Sequence, residues 1–112
     1  MEIVLDTNFL VYLFKSKKFN LFLDFLNENF GKYEIYVFET TLAEIGNINK
    51  RFLKLVKLLI KEGKIKLIKE KGKVDELITK YKDKFVVASL DKELLEKVNK
   101  KITVKGKYFQ LL

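Results

Sequence analysis

Two short apolar segments of this chain each end at an acidic residue. Ile3-Val4-Leu5 is followed by Asp6, and the segment 85–90, which reads FVVASL, is followed by Asp91. A β-branched apolar run that ends at a polar residue is typical of a buried strand that meets a loop. Because ligands of open α/β sheets bind outside the carboxyl ends of the strands, the two acids indicate a site there. A site built from carboxylates needs a cation.

Strand-like and helix-like segments alternate along the whole chain. Apolar residues at positions 19, 22, 26 and 30 follow the 3.6-residue period of a helix. Besides this helix over 19–30, the predicted helices are 8–14, one that opens at 40 or 41 and runs to about 48, 50–61, 74–81 and 91–100. Short apolar runs predict strands over 2–6, 33–38, 65–68 and 85–89, and one or two short strands over 102–104 and 108–111. This alternation predicts a three-layer α/β/α fold with a central, mostly parallel sheet and right-handed crossovers. A length of 112 residues predicts a single domain over 1–112.

The residue types that are missing restrict the chemistry. The chain has no Cys, which excludes disulfides, zinc–thiolate sites and thiol nucleophiles. It also has no His, which excludes Ser-His-Asp triads, histidine acid–base pairs and imidazole metal ligands. Carboxylate, Lys, Tyr and hydroxyl groups remain. An enzyme built from these groups would most naturally use a hard cation with oxygen ligands, Mg²⁺ or Mn²⁺.

The charge balance favours an anionic partner. Lys and Arg number 23 against 15 Asp and Glu, a formal net charge of +8. Nucleic acid is the first candidate for such a partner and an acidic membrane surface the second. A solvated lysine-rich surface explains the same composition equally well. No apolar stretch approaches the length of a membrane span, and Glu2 stands where a signal peptide would be basic, so we expect a cytoplasmic protein without membrane attachment.

Two further acids, Glu44 and Asp75, join the pair at the strand ends. Each of the four has a simple structural explanation: Asp6 and Asp91 as N-caps, Thr41-x-x-Glu44 as a capping box, and Asp75 in the first turn of a helix. For any single acid, capping is the better explanation. Together they present a different problem, because two carboxylates about 4 Å apart repel by roughly 4 kcal/mol at an effective dielectric near 20. Four acids that converge on one crevice therefore imply a divalent ion among them.

Four segments, in order and spacing, resemble the PIN domain family. They are Ile3-Val4-Leu5-Asp6-Thr7-Asn8, Glu44 early in a helix, Val74-Asp75-Glu76-Leu77, and the segment 86–94, VVASLDKEL. PIN domains are Mg²⁺- or Mn²⁺-dependent nucleases, most of which act on RNA, with a parallel sheet between helices. The chain departs from the family at Leu90, where a polar residue is common. Its short middle region looks more like small archaeal PIN proteins related to rRNA-processing nucleases than like VapC-type toxins.

The resemblance implies a role for particular residues. Carried over position by position, the metal-binding and catalytic acids are Asp6, Glu44, Asp75 and Asp91, with Thr7, Asn8 and Ser89 in support. The implied reaction is hydrolysis of RNA phosphodiester bonds, an endoribonuclease activity that leaves 5′-phosphate and 3′-hydroxyl ends. Six basic residues are candidates for RNA binding because of their position in the chain: Lys15, Lys17, Lys18, Lys50, Arg51 and Lys92.

The sequence is also compatible with other functions. The fold could serve as an RNA-binding scaffold in ribosome assembly without catalysis. It could also be the toxin ribonuclease of a toxin–antitoxin pair, held inactive by a small antitoxin partner. The Phe- and Leu-rich helix over 19–30 could form a homodimer face, although packing in the core explains it with less assumption. A haloacid dehalogenase-type site would need an acid at position 8, where the chain has Asn8.

Overall fold

The computed structural model describes all residues, 1–112, as six strands and six helices. The strands are β1 (Glu2–Leu5), β2 (Glu34–Phe38), β3 (Lys66–Ile68), β4 (Val86–Ala88), β5 (Lys101–Lys105) and β6 (Tyr108–Leu111). The helices are α1 (Thr7–Lys15), α2 (Phe19–Phe30), α3 (Glu39–Ile48), α4 (Lys50–Lys61), α5 (Val74–Lys80) and α6 (Lys92–Glu96). None of the helices is both long and apolar enough to cross a lipid bilayer.

The strands form one sheet in the order β3-β2-β1-β4-β5-β6. All neighbouring pairs are parallel except β5 and β6, which form an antiparallel hairpin with Gly106 at a φ of 63° in its turn. The predicted mostly parallel α/β sheet is therefore confirmed. Because β1 lies between β2 and β4, the carboxyl ends of these three parallel strands meet at the middle of one edge. We call this the carboxyl edge.

Alternate residues of the central strands face two separate cores. Ile3 and Leu5 of β1 pack with helices α1 to α4 on one face of the sheet, while Val4 packs with α5 and α6 on the other. All three side chains are fully buried, as expected for a strand covered by helices on both faces. Phe109 of β6 closes the larger core through ring contacts with Phe9, Phe22 and Phe25.

One predicted helix is much shorter than expected. The apolar and charged pattern predicts a helix over 91–100, but α6 ends at Glu96. The carbonyl of Lys100 accepts a hydrogen bond from the backbone N–H of Val87, so the chain is already paired with β4 at that point. Extended pairing and helix exclude each other at the same residue, and pairing with the sheet prevails.

Candidate active site

Four carboxylates line a single cleft at the carboxyl edge. The cleft has a volume of about 420 Å³. Its walls carry Asp6, Glu44, Asp75 and Asp91 together with Thr7, Asn8, Val11, Lys15, Ile48 and Val74. The four acids come from four places in the fold: the β1–α1 junction, the middle of α3, the first turn of α5 and the start of α6. We call this the carboxylate cleft.

Asp6 is the most buried of the four acids, with 8% of its surface exposed. It follows β1 directly and is the N-cap of α1, as predicted, although its Oδ1 accepts from the next backbone N–H, that of Thr7, at 2.9 Å. The other oxygen, Oδ2, accepts from the hydroxyl of Ser89 at 2.7 Å. One oxygen is thus held by the first residue of α1 and the other by the residue that follows β4, the strand beside β1.

Glu44 does not form the predicted capping box. Helix α3 begins at Glu39, earlier than the capping box requires, and no side chain caps its first turn. The carboxylate of Glu44 instead accepts a 2.7 Å hydrogen bond from the hydroxyl of Thr7, which is also hydrogen bonded to the buried hydroxyl of Thr41 at 3.3 Å. Thr41 is a residue of this network that the sequence motifs do not predict. Thr41 stands three residues before Glu44, and this spacing on a helix predicts that the two side chains share a face.

Asp91 combines a structural role with its place in the cleft. Its Oδ1 accepts from the backbone N–H groups of Glu93 and Leu94, at 3.0 and 3.4 Å, which makes it the predicted N-cap of α6. The hydroxyl oxygen of Ser89 accepts from the backbone N–H of Asp91 at 3.0 Å. Asn8 supports the same loop, because its Oδ1 accepts from the backbone N–H of Leu90 at 3.2 Å.

Asp75 is exposed in the first turn of α5, where the helix dipole favours an acid, as predicted. The segment before α5 is tied to α3, since the hydroxyl of Thr40 donates to the carbonyl of Gly72 at 2.7 Å. This contact holds the start of α5 beside the helix that carries Glu44.

The acids of the cleft have no ion-pair partner, although Lys15 lies in the cleft wall. No ion pair includes any of the four cleft acids, although the chain has 23 Lys and Arg residues. Burial raises the pKa of Asp6 above its ordinary value of 3.8; the hydrogen bonds from Ser89 and Thr7 oppose this, and the charges of Asp75 and Asp91 add to it. Asp6 is therefore harder to ionise than an exposed aspartate, and a cation bound beside it would favour its ionised form.

The carboxylates share the cleft but do not form a ready-made metal cage. No three acids lie close enough together to hold one ion in common with the side chains as they stand. The donor chemistry nevertheless fits a hard cation, because all four candidate ligands are carboxylates. Mg²⁺ commonly keeps several waters and takes only one or two carboxylates from the protein, the rest of its shell coming from substrate phosphates.

The predicted RNA-binding residues lie in different places. Lys15 lines the carboxylate cleft and is exposed. Lys92 lies in a neighbouring depression together with residues of β5. The amine of Lys18 donates hydrogen bonds to the Tyr12 hydroxyl and the Lys107 carbonyl. The others are exposed and lie outside the cleft: Lys17, Lys50 and Arg51.

No protein-family model matches the chain, and no curated protein matches its sequence. A solved structure described as the PIN domain endonuclease Utp24 is similar to it, with a TM-score of 0.75 at 16% sequence identity. The similarity covers 98% of this chain and 90% of that chain. The predicted PIN-domain fold is thereby confirmed over nearly the whole chain.

Proposed function

We propose that this protein is a divalent-metal-dependent endoribonuclease whose active site is the carboxylate cleft. The observation that carries the proposal is the convergence of four acids from four elements on one cleft, none of them in an ion pair. Like charges brought together in this way cost stability, and a bound cation offsets that cost. The fold that the chain shares with a PIN domain endonuclease supports the same function.

Mg²⁺ or Mn²⁺ would be held first by Asp6 and Asp91, which follow adjacent parallel strands. Glu44 and Asp75 would complete the site: Asp75 is exposed and can turn toward an ion, and the Thr7 hydroxyl holds the carboxylate of Glu44. A divalent ion held there would supply Lewis-acid chemistry for phosphodiester hydrolysis, the activation of water near neutral pH. No histidine is available as a general base, which leaves that work to the carboxylates and the ion.

The residues of the chain position the reaction. Asp6 keeps its orientation because Thr7 and Ser89 hold one oxygen each. Thr7 also holds Glu44 toward the cleft through its hydroxyl. Lys15, on the rim, places a positive charge where the phosphate of the substrate would enter. Attack of water on phosphorus with loss of the 3′-oxygen gives 5′-phosphate and 3′-hydroxyl ends.

The test is cleavage of single-stranded RNA by the purified protein in Mn²⁺, in Mg²⁺ and in EDTA. We expect cleavage only with metal, products with 5′-phosphate ends, and a loss of at least about 100-fold in Asp6→Asn. Asp24→Asn is the matched control, since Asp24 is an exposed acid on α2 that lies outside the cleft. Cleavage that persists in EDTA, or in Asp6→Asn at the wild-type rate, would show that the proposal is wrong. RNA binding without any cleavage would favour the scaffold role instead.

A further inference from the structure

Helix α4 carries a row of cations on one face. Its residues Lys50, Lys54, Lys57 and Lys61 are spaced by four, three and four positions, which places them within a narrow arc of the helix surface. All four are exposed, and α4 contains no acid. We call these four residues the lysine stripe. The opposite side of α4, centred on Val56, is packed into the larger core.

Nothing in the protein neutralises this row. No ion pair includes any lysine of the stripe. Lysines three or four positions apart on a helix repel each other by a few tenths of a kcal/mol per pair. Lys50–Lys54, Lys54–Lys57 and Lys57–Lys61 are three such pairs in succession. A polyanion laid along the stripe would relieve all three repulsions at once.

The stripe begins beside the carboxylate cleft and runs away from it. Helix α4 follows α3 after one residue, and Ile48, the last residue of α3, lines the cleft. At its other end, Lys61 leads into β3, which is parallel to β2 and so begins at the edge opposite the cleft. From Lys50 to Lys61 the helix rises about 16 Å. The stripe therefore extends from the cleft down the side of the molecule.

We propose that the lysine stripe is a second RNA-binding site, which holds the sugar–phosphate backbone of the substrate outside the cleft. This proposal rests on the proposed ribonuclease function for the identity of the polyanion. Lysines bind phosphates as point charges and do not read bases, so the contact is independent of sequence and sensitive to salt. RNA long enough to reach from the cleft along α4 should bind more tightly than short RNA.

A membrane surface suits the stripe less well. Basic amphipathic helices that lie on a bilayer insert their apolar face into it. In α4 most of that face is already occupied, because Phe52, Val56 and Ile60 pack against the core. Leu55 and Leu58 alone remain largely exposed, at 43% and 51%. The observations therefore favour a nucleic acid, which needs only the charged row.

The test is RNA affinity as a function of salt for the variant Lys54→Gln/Lys57→Gln/Lys61→Gln. The probe is a fluorescent oligouridine about 16 nucleotides long, with EDTA present so that it is not cleaved. Three lost phosphate contacts should lower the slope of log affinity against log salt by up to about 2, and weaken binding at low salt by about tenfold or more. Gln is a good helix former, and removal of the like charges favours folding.

The matched control is Lys82→Gln/Lys97→Gln/Lys100→Gln, which removes the same charge from exposed positions after α5 and α6. We expect it to leave affinity, salt slope and cleavage close to wild type. An equal loss in both triple variants would mean a diffuse effect of net charge and would overturn the proposal. So would an unchanged affinity in the stripe variant. Loss of binding to phosphatidylserine vesicles with RNA affinity retained would assign the stripe to a membrane.

The two proposals fail in distinguishable ways. If the wild type cleaves RNA with metal but the stripe variant binds and cleaves as well as wild type, only the stripe proposal is wrong. If the wild type never cleaves, yet its RNA affinity depends on the stripe and not on the control lysines, the ribonuclease proposal is wrong and the RNA-binding site remains.

Discussion

The hydroxyl of Ser89 links the two acids that follow the central strands. It donates to Oδ2 of Asp6 at 2.7 Å, across 83 positions of the chain, and its oxygen accepts from the backbone N–H of Asp91 at 3.0 Å. Ser89 is fully buried, and its contact with Asp6 is buried as well. One side chain thus fixes both the buried carboxylate and the loop that carries its neighbour.

Replacement of Ser89 by Ala should lower the free energy of unfolding by about 1–3 kcal/mol, because it leaves buried polar partners unsatisfied. It should also raise the pKa of Asp6 further, since the Ser89 hydrogen bond lowers that pKa. Urea unfolding measures the first effect. Ser16→Ala is the control, as Ser16 is the only other serine and its hydroxyl bonds a backbone carbonyl near the surface. A loss no larger than that of Ser16→Ala would contradict the role given to Ser89.

Most of the fold could be predicted from sequence because the apolar periods are local and strong. Helices α2 and α4 have the predicted ends, 19–30 and 50–61. The errors lie where a distant partner decides the structure. Residues 97–100 have a helical pattern, but pairing of Lys100 with β4 ends the helix at Glu96. Local pattern contains no information about that partner.

The candidate site could be predicted only in part, for a similar reason. An acid near the start of a helix can cap the helix or bind a metal ion. The residues around it in the sequence are the same in both roles, so they do not distinguish a cap from a ligand. Asp91 has both characters, a cap by its contacts and a cleft residue by its position. Glu44 has no capping contact, because its partner is Thr7, 37 positions away. The four acids share one cleft because of the order of the strands in the sheet, which the local sequence pattern does not predict.

Thr7→Val should raise the Mn²⁺ concentration that cleavage requires. The substitution keeps the shape of the side chain but removes the donor that holds Glu44, and a lost supporting contact of this kind typically costs about 10–100-fold in metal affinity or activity. The measurement is the Mn²⁺ concentration that gives half-maximal cleavage. Thr103→Val is the control, since Thr103 lies on β5 outside the cleft. An unchanged Mn²⁺ requirement in Thr7→Val would show that Glu44 needs no positioning.

Asp6→Asn should change how stability depends on pH when no metal is present. Burial raises the pKa of Asp6 in the folded protein above 3.8, so the folded state binds this proton more readily than the unfolded chain. The resulting stabilisation is fully present below the unfolded pKa and is lost as pH rises through the folded pKa. Asparagine does not ionise, so Asp6→Asn does not lose stability in this way as pH rises. Its free energy of unfolding, relative to wild type, should therefore increase between acidic and neutral pH.

Urea unfolding in EDTA over that pH range measures this difference directly. Any pH dependence that does not involve Asp6 is common to both proteins and drops out of the comparison. Asp24→Asn should show no such trend, because Asp24 is exposed. If the difference between Asp6→Asn and wild type stayed constant from acidic to neutral pH, Asp6 would not carry a buried charge.

Asp91→Asn separates the two roles of Asp91. Asn is as good an N-cap as Asp, so the hydrogen bonds to Glu93 and Leu94 should persist and stability in EDTA should stay within about 0.5 kcal/mol of wild type. A ligand that binds only the folded state at 100 times its dissociation constant stabilises by about 2.7 kcal/mol. Mn²⁺ should therefore raise the unfolding temperature of the wild type and of Asp24→Asn, and much less that of Asp91→Asn. An equal rise in all three proteins, with ionic strength matched by NaCl, would mean that Asp91 caps its helix and binds no ion.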